Sequence, residues 1–240
     1  MNDTLVIIPT YNEIENIEAI IRAIFAQKKG FDVLIVDDNS PDGTAKVVKT
    51  LQKEFSQSLH LLQRSQKTGL GTAYIAGFKW ALNKAYQYIV EMDADFSHNP
   101  DDLVKLYEAC SSNGADIAIG SRYVNGVNVV NWPMSRILLS YFASKYVRFI
   151  TRMHIHDTTA GFVCYKRKVL EQINLDGIKF VGYAFQIEMK FKAYLKQFNI
   201  IEIPVIFTDR AKGHSKMSSK IISEAIFGVI SMKLKSIFSS

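Results

Sequence analysis

Residues 88–98, Tyr88-Ile89-Val90-Glu91-Met92-Asp93-Ala94-Asp95-Phe96-Ser97-His98, run a short apolar stretch into two carboxylates one residue apart. Residues 88–92 have the length and side-chain type of a buried strand. Similar runs at 5–8, 33–36, 59–62 and 117–120 alternate with segments whose apolar residues recur every three or four positions, as in Ile17, Ile20, Ile21, Ile24 and Phe25. That rhythm predicts an α/β fold with a mostly parallel central sheet and helices on both faces. Right-handed crossovers gather the strand ends along one rim, where such sheets bind ligands.

Polar turns fall at those strand ends: Pro9-Thr10-Tyr11-Asn12, Asp37-Asp38-Asn39-Ser40-Pro41-Asp42-Gly43 and Asp93-Ala94-Asp95. After Gly120 comes a loop with Gly and Asn through Trp132-Pro133, then a helical pattern at 134–152. A strand at 162–165, a helix at 183–198, a strand at 200–207 and an amphipathic helix at 218–238 complete the prediction. No internal repeat or interdomain linker interrupts the chain, and its 240 residues, 48% apolar, suit one globular unit.

Lys and Arg number 29 against 23 Asp and Glu, a formal net charge of +6 that favours anionic partners without choosing among phosphates, nucleic acid and acidic lipid. Nucleic acid ranks last, because the basic residues are dispersed and carry no recognition motif. Cys110 and Cys164 lie apart from any metal-ligand spacing and read as buried free thiols in a reducing compartment. The run at 5–8 is short, stopped by Pro9 and preceded by Asp3, which is a buried strand's layout and not a signal peptide's. No stretch reaches the roughly 20 apolar residues of a spanning helix, so membrane contact is expected to be peripheral.

Alternation along an extended segment points Asp93 and Asp95 to one side and Ala94 to the other. Two such carboxylates repel unless a cation joins them, and a hard divalent ion on them would neutralise a diphosphate. The competing reading is an acidic turn in which His98-Asn99-Pro100 caps the next helix. For Asp37-Asp38 the choice lies between a sugar or base contact and turn chemistry. Gly69-Leu70-Gly71 lacks the third glycine of a dinucleotide fingerprint, Tyr74 standing in its place, so a tight turn with close helix packing is expected and a Rossmann dehydrogenase is rejected. His154 and His156 straddle Ile155 in a turn and receive no catalytic role, while His98 is expected to start the following helix.

The stretches Ile7-Ile8-Pro9-Thr10-Tyr11-Asn12-Glu13, Val36-Asp37-Asp38-Asn39-Ser40, Asp93-Ala94-Asp95-Phe96-Ser97-His98 and Gly120-Ser121-Arg122-Tyr123 together resemble the inverting glycosyltransferases of family 2. Within that family they are similar to the dolichol-phosphate (polyprenol-phosphate) mannose synthases of the short type without membrane-spanning segments. The likeness continues through 132–140, 157–165, 182–189 and 209–216, nearly the whole chain.

The resemblance implies a GT-A fold in one catalytic domain, with residues 1–121 as nucleotide-sugar half, 122–217 as acceptor half and 218–240 as a terminal amphipathic helix. It implies Mg²⁺ or Mn²⁺ on Asp93 and Asp95, with Ser97 beside them. Pro9, Tyr11, Glu13, Val36 and Asp38 match the nucleoside pocket, Asp93 and Arg210 the diphosphate, and Lys216 the same group from a closing loop. Arg122, Arg136 and Ser140 match the acceptor-phosphate site, and Asp95, Arg122 and Arg136 carry the catalytic role, with Asp95 or Asp157 available to assist the nucleophile. Where some relatives carry Lys before the Gly-Tyr pair, this chain has Val181.

The implied reaction is inverting transfer of a hexose, mannose from GDP-mannose being favoured, to dolichyl or polyprenyl phosphate at the cytoplasmic face of a membrane. A lipid phosphate is ionised at neutral pH and needs no strong general base. The alternatives are a family 2 enzyme using UDP-glucose or another donor with a lipid-phosphate or saccharide acceptor, and a non-catalytic sugar-nucleotide-binding subunit. The need for a membrane-anchoring partner subunit stays open. Ile222, Ile226, Val229, Ile230 and Ile237 are expected on one face of the last helix, for either a membrane or the catalytic domain.

Overall fold

The computed structural model describes residues 2–182, 184–209 and 219–238, without the side chains of 219–226 and 238. Its elements in chain order are β1 (Thr4–Thr10), α1 (Ile17–Phe25), β2 (Asp32–Asp37), α2 (Thr44–Leu51), β3 (Leu59–Gln63), α3 (Leu70–Leu82), β4 (Tyr88–Glu91), α4 (Asp102–Ser111) and β5 (Ile117–Ser121). Then follow β6 (Val129–Val130), α5 (Met134–Thr151), β7 (Val163–Lys166), α6 (Arg167–Gln172), α7 (Ala184–Leu195), β8 (Ile200–Pro204), β9 (Phe207–Thr208) and α8 (Ser219–Phe238).

Seven strands form one sheet in the order β3-β2-β1-β4-β7-β5-β8. Every neighbouring pair is parallel except those of β7, which runs antiparallel between β4 and β5. Strand alternation explains the two cores: Leu5 and Ile7 pack with Tyr74 and Phe78 of α3, while Val6 and Ile8 pack with α1 and with Leu103 and Leu106 of α4. The apolar spacing of α1 does what it predicts, for Ile17, Ile20, Ile21 and Ile24 are all fully buried.

Three expectations are corrected. The strand expected at 200–207 breaks after Pro204, and Phe207–Thr208 leaves the main sheet to pair in parallel with Val129–Val130 inside the expected loop. His98 does not start a helix: α4 begins at Asp102, and His98 is buried. The face expected on the last helix is divided, since Val229 is 1% exposed and Ile230 and Ile237 stand open to solvent with Phe227, Leu234 and the α5 residues Met134, Phe142 and Phe149. Ile222 and Ile226 lie outside the described side chains. No helix among the described residues is long and apolar enough to cross a membrane.

The Gly69-Leu70-Gly71 turn packs as closely as expected. A Cβ on Gly71 would sit 2.8 Å from both the Phe180 carbonyl and the Phe185 ring, and Gly69 holds φ +116.

Candidate active site

The parallel strands β1, β2 and β4 end on one rim, and the chain closes each end with its own side chains. Asp37 accepts from Thr10 Oγ1 at 3.0 Å and from Ser40 N and Oγ at 3.0 and 2.6 Å, so this carboxylate is turn chemistry. Asp38 is buried, and burial raises its pKa while Arg64 opposes the rise. Arg64 Nε lies 3.2 Å from Asp38 Oδ1, yet that oxygen has no hydrogen bond of good geometry. Lys67 Nζ sits 4.2 Å from the centroid of the Tyr11 ring. Pro9 is paired across the ladder with Val36, which is fully buried and belongs to the core. Half-buried Tyr11 and Glu13 follow β1, and Glu13 N donates to Thr44 Oγ1 at 3.1 Å.

After β4 the loop 93–98 ties itself together. Asp93 N donates to His98 Nδ1 at 3.2 Å, and Ser97 N donates to Asp95 Oδ1 at 3.1 Å. The His98 ring stacks on Phe162 with centroids 4.8 Å apart, and its burial lowers the pKa to about 4, leaving the ring neutral with Nδ1 as acceptor. Phe96 has φ +59, an uncommon conformation costing about 1–3 kcal/mol, between the two residues that face the site.

Asp93, Asp95 and Ser97 share a cavity of about 420 Å³ with Arg122, Arg136 and Ser140. The carboxylates and the two arginines that the resemblance singles out thus meet in one space. Arg210 and Lys216 lie outside the described residues. Ser97 Oγ is buried without a hydrogen-bond partner among the described residues. A hard oxygen set of two carboxylates and one orphaned hydroxyl fits a small divalent cation.

Both arginines already have carboxylate partners, which the sequence did not reveal. Arg122 grips Asp157 with Nε–Oδ2 2.7 Å and Nη2–Oδ1 2.6 Å, and Nη2 also donates to Thr159 Oγ1 at 2.9 Å. Burial works against the charge of each, but each raises or lowers the other's pKa towards ionisation: Arg122 is held above its ordinary value and Asp157 below the usual carboxylate range. Asp157 is fully buried, held by Arg122 through both oxygens, and does not line the cavity, so of the two carboxylates expected to be available to the nucleophile Asp95 lines the cavity and Asp157 orients Arg122.

Arg136 Nη1 meets Asp209 Oδ1 at 2.7 Å, and its guanidinium stacks 3.9 Å from the Trp132 ring centroid, with that of Arg122 5.5 Å from the same ring. Trp132 and Phe207, in T-shaped contact at 5.2 Å, also line the cavity. The small β6–β9 ribbon brings them there: Asp209 N donates to Val130 O at 3.0 Å and Thr208 N to Ser97 O at 3.3 Å. Leu139, Phe142, Ala143 and Val147 of α5 add apolar lining to the same cavity, as do Leu70 and Ile187.

His154 and His156 stay apart from this cavity. His156 Nδ1 lies 2.8 Å from Glu202 Oε2, and no cluster of three or more His, Cys, Asp and Glu side chains suited to a metal occurs among the described residues.

The model of the family described as glycosyl transferase family 2 matches residues 5–174. A polyprenol monophosphomannose synthase of Mycolicibacterium smegmatis is 47% identical over 226 residues, 94% of this chain and 85% of the relative. An undecaprenyl-phosphate mannosyltransferase of Micrococcus luteus is 45% identical over 225 residues, 94% of this chain and 91% of the relative. Among solved structures, a glucosyl-3-phosphoglycerate synthase of Mycobacterium tuberculosis in complex with Mn²⁺, UDP and glucosyl-3-phosphoglycerate superposes with a TM-score of 0.67 at 15% identity, covering 98% of this chain and 79% of its own. By the extent of the family match and the identity to these relatives, the chain belongs to glycosyltransferase family 2 and has its GT-A fold.

Proposed function

We propose that this enzyme transfers mannose from GDP-mannose, with inversion, to a polyprenyl or dolichyl phosphate. The observation that carries the reading is that two carboxylates, two arginines and a group of apolar α5 side chains line one cavity. A nucleotide diphosphate, an anionic acceptor and a hydrocarbon chain need those three surfaces together. The relatives' names supply the sugar and the lipid class.

Residues 1–121 serve the donor, with Pro9, Tyr11, Glu13, Val36 and Asp38 at the nucleoside end and Arg64 and Lys67 beside them. Asp93 and Asp95, with Ser97, hold Mg²⁺ or Mn²⁺, which when bound supplies positive charge to the departing diphosphate. Arg210 and Lys216 are assigned to the same diphosphate from the sequence. Residues 122–217 serve the acceptor: Arg122 is fixed in aim by Asp157 and Thr159, and Arg136 exchanges Asp209 for the acceptor phosphate. Ser140, one turn beyond Arg136, adds a hydroxyl donor. Displacement at the anomeric carbon passes through an oxocarbenium-like state, so the work of these residues is placement of an ionised nucleophile and charge balance at the leaving group.

The open apolar side chains Met134, Phe142 and Phe149 of α5 and Phe227 and Leu234 of α8 lie on the helices that wall or flank the acceptor half, and we assign them to the cytoplasmic face of a membrane. The test is radiolabelled transfer from GDP-mannose, UDP-glucose and UDP-GlcNAc to polyprenyl phosphate, with and without Mn²⁺. Metal-dependent labelling of the lipid from GDP-mannose is expected; preferential use of a UDP-sugar overturns the donor assignment, and no transfer from any donor favours a binding subunit.

A further inference from the structure

Bonded to the cavity-lining residues Ala160 and Gln186 is a fully buried lysine that the chemistry described so far does not use. Lys190 of α7 donates from Nζ to the Ala160 carbonyl at 2.6 Å, to Gln186 Oε1 at 3.3 Å and to Gln186 O at 3.4 Å. Gln186 Nε2 in turn donates to Glu91 Oε2 at 2.7 Å, on the strand that leads to Asp93. An ammonium without water is costly unless hydrogen bonds and opposite charge compensate it. Burial lowers its pKa to about 8, against the raising influence of Glu91 and Asp157.

The shortest of these bonds leaves the helix. Ala160 belongs to the irregular segment 157–161, and its own N–H reaches back to Asp157 O at a long 3.4 Å. That segment carries both groups that grip Arg122, the Asp157 carboxylate and the Thr159 hydroxyl. We propose that Lys190 is a positioning residue for the acceptor: by holding Ala160 O it fixes segment 157–161 and, through Asp157 and Thr159, the aim of Arg122 into the cavity. The inference rests on the reading that Arg122 meets the acceptor phosphate.

Lys190→Met removes Nζ at similar volume but leaves the fully buried Glu91 without the opposing charge of Lys190, so the decisive protein is the full chain with Lys190→Met and Glu91→Gln together. Melting temperature separates folding from positioning, and kinetics are read with polyprenyl phosphate varied at saturating GDP-mannose and then the converse. The double variant is expected to melt near the parent while its kcat/KM for the acceptor falls about tenfold or more and its donor KM stays within about twofold. Lys190→Arg, which keeps a charged donor in reach of Ala160 O, is expected to recover most of the acceptor kcat/KM, and it serves as the test if the double variant does not fold.

Acceptor kinetics equal to the parent's in the double variant, or equal losses for donor and acceptor, overturn the proposal. So does a Lys190→Arg protein that melts like the parent yet gains nothing over Lys190→Met. Arg136→Ala assayed in parallel separates the layers: if it raises acceptor KM while the Lys190 variants do not, only the Lys190 assignment fails, and if it too leaves acceptor KM unchanged, the acceptor reading itself fails.

Discussion

The two sides of the cavity are built by different means. On the β1, β2 and β4 rim, Asp37 and Asp95 are each held by a serine two or three residues further on, Ser40 on Asp37 and Ser97 on Asp95. On the β5 side Arg122 and Arg136 are held by partners 35 and 73 residues away, Asp157 and Asp209. The local turns fix Asp37 and Asp95 by hydrogen bonds from neighbouring main-chain and hydroxyl groups, whereas the other side depends on a bidentate buried ion pair. Loss of Asp95 should therefore cost activity and little stability, and loss of the fully buried Asp157 should cost stability first.

The largest effect is expected for Asp95→Ala: transfer by the purified protein falls by about three orders of magnitude, the scale of several kcal/mol of charge stabilisation, with the melting temperature nearly unchanged. Near-normal transfer at excess donor removes the metal assignment and with it the contrast between the two sides. Asp157→Ala is the opposite case. It strands a buried guanidinium and should cost about 3–5 kcal/mol in urea unfolding. The sign with pH follows from the depressed pKa of Asp157: its contribution is complete above the ordinary value of 3.8 and is lost as pH falls through the lower folded value. An unchanged acid limb of the stability profile in Asp157→Asn would show that the pair is energetically idle.

Arg136→Ala sharpens the comparison within the acceptor side, because Arg136 is partly exposed where Arg122 is buried. Acceptor KM is expected to rise about tenfold or more while donor affinity by calorimetric titration holds, the loss being of one charge-assisted phosphate contact. Equal weakening of both ligands would indicate a general structural role. The smallest effect is Asp209→Asn, which removes the carboxylate that competes for Arg136. Acceptor KM should fall about two- to fivefold, the scale of a partly exposed ion pair; a rise would mean that Asp209 assists acceptor binding.

The same contrast explains what could be read in the sequence. The five strands of the first half and helices such as α1 announce themselves because burial imposes a period on residues close in the chain. The Asp93-Ala94-Asp95 turn is legible for that reason, and turn chemistry is one of the two roles the sequence leaves open for Asp37. The insertion of antiparallel β7 between β4 and β5 leaves no such period, since a four-residue strand reads alike in either direction. The β6–β9 ribbon has two residues on each side, too few for any pattern. Arg122 and Arg136 were found through the family likeness, but their carboxylates were not assigned, because an ion pair across 35 or 73 residues has no local signature. Arg64 was missed although its strand was predicted: β3 is parallel to β2, so its end necessarily reaches the same rim. Lys190 sat unremarked in a helical pattern, its burial visible only once the sheet and α7 are packed together.

The most direct measurement is anomalous diffraction from crystals grown with Mn²⁺ and GDP-mannose. A manganese peak between the Asp93 and Asp95 carboxylates is expected, with the pyrophosphate on it and the sugar facing Arg122 and Arg136 across the shared cavity. A peak elsewhere, or a diphosphate bound away from those two carboxylates, would contradict the joining of donor and acceptor in that space.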